Sequence, residues 1–508
     1  MSTNHDPVNG RGATASSPSG GALRCMSYLQ LIVFVVLFVL LLLRSQSTAL
    51  NDPDTFMHIT IGQWILANGR VPDHDIFSFT RSGAPWVPHE WLSDIVLYLV
   101  YRVTGWSGLI VLAVSCAAVS LACLFRFMLH RTVPVVYALI FLIVSATSLL
   151  NHLLARPHIL VWPMLVVWVA TLIRSNDRQV GPPYWLLVLM VLWANMHGSY
   201  MLGLVLLVPF ALEGIYAAAT TDRQALAKRW VIFAVLAALA GMVTPYGWHA
   251  YRLIFQLLSQ PTLTTIVEWS PADFSQINAI EIWIFVLLAL TSLGMLRLPP
   301  IRLLLVLGLL YQALAHIRYF SIFGLLAPLL IAQPFSQQYQ IFSRRIGKDE
   351  TSSNQLNSFW FAPASLRAKV VAGSVLTVVS ISVSLAFKPE PPANIMPTAA
   401  VDAAINAGLE NSPVFHDFAY GGYLIYRGIP VYIDGRADMY GSDVTADFNQ
   451  TNDPTHIGEF GPTLDKHQIV WALLRADSYQ AKYLQGLDGW ARLFQDDNSV
   501  VYRRAGQR

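Results

Sequence analysis

Residues 28–69 read YLQLIVFVVLFVLLLLRSQSTALNDPDTFMHITIGQWILANG, and the parsing of this stretch decides what the whole chain is. Its first part, 28–43, is an apolar run approaching the roughly 20 residues that cross a bilayer core as a helix. Arg11 and Arg24 precede it as they would a signal peptide, but no convincing cleavage site follows Arg44, so the run is expected to stay as an anchor. Directly behind it, Asn51-Asp52-Pro53-Asp54 opens a second helical pattern that stops at Asn68-Gly69. Asp52 suits the cap, Pro53 the first helical position, Asp54 the first turn and Gly69 the stop. Asp54 and His58, four apart, share one face, while Met57, Ile61, Trp64 and Ile65 form an apolar side suited to the headgroup layer. An acidic helix start just after a spanning run places carboxylates at a membrane surface.

Ten further apolar runs follow, at 106–128, 134–150, 159–173, 184–194, 201–218, 230–244, 280–296, 301–315, 320–332 and 369–387, making eleven candidate spans. The composition agrees: 55% of the 508 residues are hydrophobic and 12% charged, about half the charge of a soluble domain, with mean hydropathy +0.48. The net charge is +3 and no basic stripe is interleaved with aromatics, which excludes nucleic acid as the natural partner. Cys25, Cys116 and Cys123 are too few for a disulfide framework. With a cytoplasmic N-terminus, Arg126, Arg131, Arg174, Arg178, Arg223, Lys228, Arg229, Arg297 and Arg302 all fall in cytoplasmic loops, as do Arg344, Arg345, Lys348 and Arg367. An odd number of spans then leaves the tail outside. The expected fold is a polytopic α-helical membrane protein of about 11 transmembrane helices with a C-terminal extracytoplasmic α/β domain. Its parts are a polar tail (1–27), a bundle (28–334) with an outer loop (51–90), a cytoplasmic loop (335–368), a last span (369–387) and the outer domain (388–508). In that domain, behind the joint Lys388-Pro389-Glu390-Pro391-Pro392, helical patterns at 398–409 and 478–486 alternate with strand-like runs. The runs fall at 413–418, 423–426, 431–434, 468–475, 492–495 and 499–502. No internal repeat is present.

The loops opposite the basic ones gather Asp52, Asp54, His58, His74, His89, Glu90, Arg156, His158, His197, His249, Glu268 and Arg318. Titratable groups thus converge on one membrane face, which an anchor alone does not require. His89-Glu90 lacks the second histidine one turn later that a zinc protease needs, since position 93 is Ser93. Arg156 and Arg318 are suited to phosphate through the planar guanidinium fork, although a lone arginine at such a place also snorkels to headgroups. His74-Asp75 reads as a turn element. Trp86, Trp91 and Trp106 read as belt anchors at the membrane interface.

The order Asp52-Pro53-Asp54, Gly62 to Gly69, Ala84-Pro85-Trp86-Val87-Pro88-His89-Glu90-Trp91-Leu92 and Tyr101 to Trp106 resembles the first outer loop of GT-C membrane glycosyltransferases. Protein O-mannosyltransferases and lipid A aminoarabinose transferases are the nearest in pattern. The resemblance implies transfer of a sugar from a polyprenyl-phosphate carrier, at the extracytoplasmic face of a membrane, to an acceptor glycan, lipid or protein. It implies Asp52 or Asp54 as the base, or as holder of a divalent cation (Mg or Mn), with Arg156 and Arg318 toward the carrier phosphate; His58, His89, Glu90, His158 and His197 of the same outer loops are further candidates for binding substrate or phosphate. It also implies a bacterial inner membrane location. Phe415-His416-Asp417-Phe418-Ala419-Tyr420-Gly421-Gly422-Tyr423 is loosely similar to the acceptor motif of oligosaccharyltransferase catalytic subunits, without its tryptophan pair. Asp417, and the charged turn Asp434, Arg436 and Asp438, are candidates for an acceptor-side loop; for the turn, an internal salt bridge is an equal reading. The alternatives are a non-catalytic part of an envelope polysaccharide assembly system or a transporter, the last disfavoured because ionisable groups crowd the rim rather than mid-membrane.

Overall fold

The computed structural model describes residues 26–258, 267–345 and 361–506. Arg11, Arg24, Cys25 and Lys348 lie outside the described residues, as do the side chains of Arg345 and Asp438.

Each of the eleven apolar runs coincides with a helix. These are α1 (Tyr28–Ser45), α3 (Trp91–His130), α4 (Val135–Leu150), α6 (Trp162–Asp177) entered through the short α5 (Pro157–Leu160), α7 (Trp185–Met196), α8 (Tyr200–Ala217), α9 (Arg223–Gly241), α11 (Ala279–Ser292), α12 (Pro300–Ala315), α13 (Phe320–Arg345) and α14 (Leu366–Phe387). Between them lie α2 (Asp54–Asn68) and α10 (His249–Leu258). Among the described residues, seven helical segments are long and apolar enough to cross a membrane, and four are shorter apolar helices. The protein is an integral multi-pass membrane protein. Ser27 and Gln30 form a reciprocal cap at the start of α1. α3 is two helices in one: Gly105 takes φ 63, a conformation glycine adopts freely, and breaks the run just before Trp106. α13 continues to Arg345 although Pro328 and Pro334 lie inside it, so the segment expected to be a loop from 335 is at first helical.

The tail builds α15 (Thr398–Asn406), β1 (Val414–His416), α16 (Gly421–Tyr426), α17 (Ala437–Thr451), α18 (Phe460–Lys466), β2 (Trp471–Arg475), α19 (Tyr479–Gln485), β3 (Trp490–Gln495) and β4 (Ser499–Arg504). The sheet order is β1-β2-β4-β3, with β1 parallel to β2 and the other pairings antiparallel. Two expected strands are otherwise employed. Residues 423–426 lie in a helix, and Val431 pairs its backbone with the loop after α2, donating to the Phe77 carbonyl (3.0 Å) and accepting from the Phe79 N–H (3.1 Å).

Two apolar cores result. One fills the helical bundle; the other joins Val414, Trp471, Leu473 and Val501 of the tail sheet to Phe56, Met57, Ile61, Ile65 and Trp86. The apolar side of α2, expected in the headgroup layer, is therefore buried against the tail. Gly422 makes this possible: a Cβ there would meet the Pro53 carbonyl oxygen at 2.1 Å. The tryptophans expected as belt anchors are also packed inside. Trp86 is buried, Trp91 donates to Asn195 Oδ1 (2.8 Å), and Trp106 meets Phe56, Tyr101 and Tyr426. Tryptophan suits either place, and its neighbours in space decide which it takes.

Candidate active site

Asp52, Asp54 and Arg156 meet because two loops are tied together beneath them. The Ala155 N–H donates to the Ala49 carbonyl (2.8 Å), and Thr55 Oγ1 donates to the Ala155 carbonyl (3.1 Å). Arg156 precedes Pro157 and is held extended, φ −126 and ψ 162, as a residue before proline prefers. At the start of α2 the N-cap position is Pro53, one residue later than expected, and Asp52 Oδ1 accepts from the Asp54 N–H at 2.8 Å just ahead of the helix. Asp52 Oδ2 then faces Arg156 Nη1 (3.1 Å), and Asp54 Oδ2 faces Arg156 Nη2 (2.8 Å). A third carboxylate arrives from the turn Val267–Trp269: Glu268 Oε1 lies 2.7 Å from Arg156 Nη1.

Burial pushes the Asp54 carboxyl up to about 6, with Arg156 opposing and Asp52 adding to the rise. Burial alone would raise Glu268 as well, but Arg156 and Arg318 hold it below its ordinary range. Burial works against the charge of Arg156, and the surrounding carboxylates overcome it, so the guanidinium is held more firmly charged than usual.

Arg156 forms one wall of a pocket of about 690 Å³, counting its open mouth, which is lined also by Glu90, His152, His158, His197, Glu268, Arg318 and Trp162. His197 Nε2 is 3.4 Å from Glu90 Oε1, and His158 Nε2 is 2.9 Å from the His152 carbonyl. His152 Nδ1 is buried with no hydrogen-bond partner among the described residues. Burial lowers His197 well below the ordinary range and His152 to about 4, so both are neutral near pH 7. Arg318 lies over the Trp269 ring at 4.7 Å, and among the described residues its guanidinium has no ion pair or hydrogen bond. It is the open cation of the pocket.

His58 and His89 stand one layer back. His58 Nδ1 is 2.7 Å from Asp94 Oδ1 and its Nε2 is 3.9 Å from Glu90; His89 Nε2 is 3.8 Å from Glu90. Three histidines thus surround one glutamate at the pocket edge. Among the described residues, no three His, Cys, Asp or Glu side chains converge on a position fit for a metal ion. The carboxylates expected for a divalent cation point instead at the two nitrogens of a planar guanidinium, so the donor set as arranged does not fit one.

The tail residues divide. Asp417 caps the turn Phe418–Tyr420 and pairs with Arg475 (3.0 Å) away from the pocket. Asp434 and Arg436 are locked to each other (2.5 Å), and Arg436 reaches Asp75 (2.6 Å). Asp75 is also the turn element expected of it, accepting from the Phe77 and Ser78 N–H groups. The residue between them touches the site: a Cβ on Gly435 would lie 2.1 Å from Asp54 Oδ1. Glu268, though among the ionisable loop residues, had no role from sequence, and His152 and Gly435 were not singled out. His152, in the same short loop as Arg156 and His158, carried the clearest available signal.

No protein-family model matches the chain, and no curated protein matches it in sequence. Solved structures do. The oligosaccharyltransferase of Archaeoglobus fulgidus tethered to an acceptor peptide is 12% identical, with TM-score 0.53 over 94% of this chain and 74% of that one. AglB from the same organism, with an inhibitory peptide and a dolichol-phosphate, is 12% identical, with TM-score 0.50 over 90% and 70%. ArnT from Cupriavidus metallidurans bound to undecaprenyl phosphate is 14% identical, with TM-score 0.48 over 93% and 98%. With its bundle, its acidic first loop and its tail sheet so arranged, the chain shares its fold with the Archaeoglobus fulgidus oligosaccharyltransferase.

Proposed function

We propose that the chain is a membrane glycosyltransferase that moves a sugar from a polyprenyl-phosphate carrier to an acceptor on the extracytoplasmic face of a bacterial inner membrane. On this reading all eleven apolar helices cross, the N-terminus is cytoplasmic and the tail lies outside. One observation carries it: Arg156, which gathers the acids at the start of α2, lines one pocket together with Glu268 and with Arg318, whose guanidinium is unpaired among the described residues. The dolichol-phosphate held by AglB, which has this fold, supports the carrier class.

In the proposed reaction the acceptor nucleophile bonds to the anomeric carbon while the bond from that carbon to the phosphate oxygen breaks. The nucleophile's proton passes to Asp54, whose buried carboxyl is poised near the working pH as a general base should be. Asp52 has both oxygens engaged, by the Asp54 N–H and by Arg156, which leaves Asp54 the better base. The polyprenyl phosphate departs with the electron pair, and Arg318 stabilises its charge as a preformed donor. Gly435 lines the acceptor side. A transporter gains little support from Glu213, whose carboxylate is already held by Arg302 (2.6 Å) and Asn176 (3.2 Å).

The test is transfer from a panel of polyprenyl-phosphate sugars by purified protein in lipid, wild type beside Asp54→Asn and Arg318→Ala. Carrier binding kept but transfer lost in Asp54→Asn supports the enzyme and the base. Absence of carrier binding in every form overturns the reading in favour of a non-catalytic assembly protein.

A further inference from the structure

Asp52, Asp54 and Glu268 come from two separate stretches of chain and turn toward one side chain, Arg156, at 3.1, 2.8 and 2.7 Å. We infer that Arg156 is the resident cation of this site, standing where a divalent ion would otherwise gather the three carboxylates, so that transfer runs without such an ion. The inference deepens the proposed function and rests on it for the reaction, though not for the cation chemistry.

Geometry is the first support. A divalent ion draws oxygens to about 2.0–2.6 Å around a single point. Here the oxygens are spread over two nitrogens of a planar fork, Nη1 taking Asp52 and Glu268 and Nη2 taking Asp54. Charge is the second: a guanidinium keeps its proton at any working pH, so the neutralisation is permanent. The third is the stem. Arg156 is fixed between Ala155, bonded to the Ala49 carbonyl, and Pro157 at the start of α5, so the fork is delivered by the fold. Residues 259–266, SQPTLTTI, contain no ionisable side chain, so they add neither a carboxylate nor a cation to this balance. The charge of a departing phosphate falls to Arg318, which leaves Arg156 to hold the acids together.

The experiment titrates Mn²⁺, followed by electron paramagnetic resonance, into purified full-length protein in lipid. Wild type is expected to hold no stoichiometric ion. Arg156→Ala, which releases three carboxylates, is expected to gain one Mn²⁺ site, tighter than wild type by roughly tenfold or more, and Arg156→Ala with Glu268→Gln to lose it. Arg156→Lys keeps a fixed charge and is expected to bind none; it also serves if Arg156→Ala does not fold, because in a folded Arg156→Lys an Mn²⁺ site would contradict the role of charge. A stoichiometric Mn²⁺ in wild type that disappears in Asp52→Asn, or no gain in a folded Arg156→Ala, overturns the inference. In the transfer assay, an unchanged rate after chelation supports it and loss of rate restored by Mn²⁺ overturns it. If no carrier sugar is transferred at all, the proposed reaction fails while the Mn²⁺ result still decides the cation.

Discussion

Two arginines in this protein are surrounded by acids, and they do opposite work. Arg436 is sealed: its side chain is 3% exposed, it is bonded to Asp434 through Nε (2.8 Å) and Nη2 (2.5 Å) and to Asp75 through Nη1 (2.6 Å), and the rings of Trp86 and Phe77 lie 4.7 and 5.4 Å from it. Arg156 has three carboxylate partners to the two of Arg436, but is 24% exposed and borders a pocket that also holds Arg318, unpaired among the described residues. The ion chemistry is the same. Access separates them: the sealed arginine joins two parts of the chain, while the open one holds acids beside a pocket.

The largest effect expected on the open side is from Asp54→Asn, which should reduce transfer by about 10²–10⁴-fold with unchanged thermal unfolding. If Asp52→Asn and Asp54→Asn both retain activity, neither acid is the base. On the sealed side, Arg436→Met should cost about 3–5 kcal/mol by stranding Asp434 and Asp75, read by denaturant unfolding in detergent. A milder loss, matched by Arg156→Met, would erase the contrast between the two arginines. Arg318→Ala should raise KM for the carrier sugar by roughly ten- to a hundredfold, the value of a hydrogen-bonded charge of about 1.5–3 kcal/mol. A fall in kcat with KM unchanged would instead move Arg318 to the transition state alone.

The pH dependence sharpens the same contrast. Asp54 accepts a proton only when ionised, so with its carboxyl raised to about 6 the rate should fall about tenfold for each pH unit below that value. Burial sets it first, and Arg156, Asp52, His58 and Glu268 are the titratable groups that adjust it, so a variant losing Glu268 should shift the limb. For folding the sign is reversed: the raised carboxyl favours the folded state fully below its ordinary 3.8, and that contribution is lost as pH rises through about 6. The smallest effect is at the aromatic joint, where Tyr101→Phe removes a hydrogen bond to Tyr426 Oη (2.8 Å) and should cost about 1 kcal/mol.

The membrane helices were legible because apolar runs have no other soluble use at this length, and α2 because Asp52, Pro53 and Gly69 mark both its ends. The tail was harder. A four-residue apolar run such as 423–426 has the same pattern in a strand or a buried helix turn, and packing against α2 decides for the helix. Of the site, Asp54 and Arg156 were readable from their position at loop ends, but their contact, across 102 positions, was not. Glu268 sits in a loop without periodicity, so nothing local distinguishes it from a solvated acid. Gly435 was hidden for a different reason: its importance lies in the side chain it lacks, visible only once Asp54 is beside it.

The backbone pairing of Val431 with Phe77 and Phe79, reinforced by the Thr80 hydroxyl donating to the Tyr432 carbonyl across 352 positions, has a consequence for biogenesis. A chain emerges from the ribosome N-terminus first. Asp52, Asp54 and Arg156 are therefore in the membrane long before the segment that covers them has been translated. A chain stalled after α14 carries the acids and the pocket but not Gly435 or the segment around Val431 that seats it. The side of the cluster that Gly435 closes is assembled last, after the tail has been made, so the cluster is not completed during insertion of the helices.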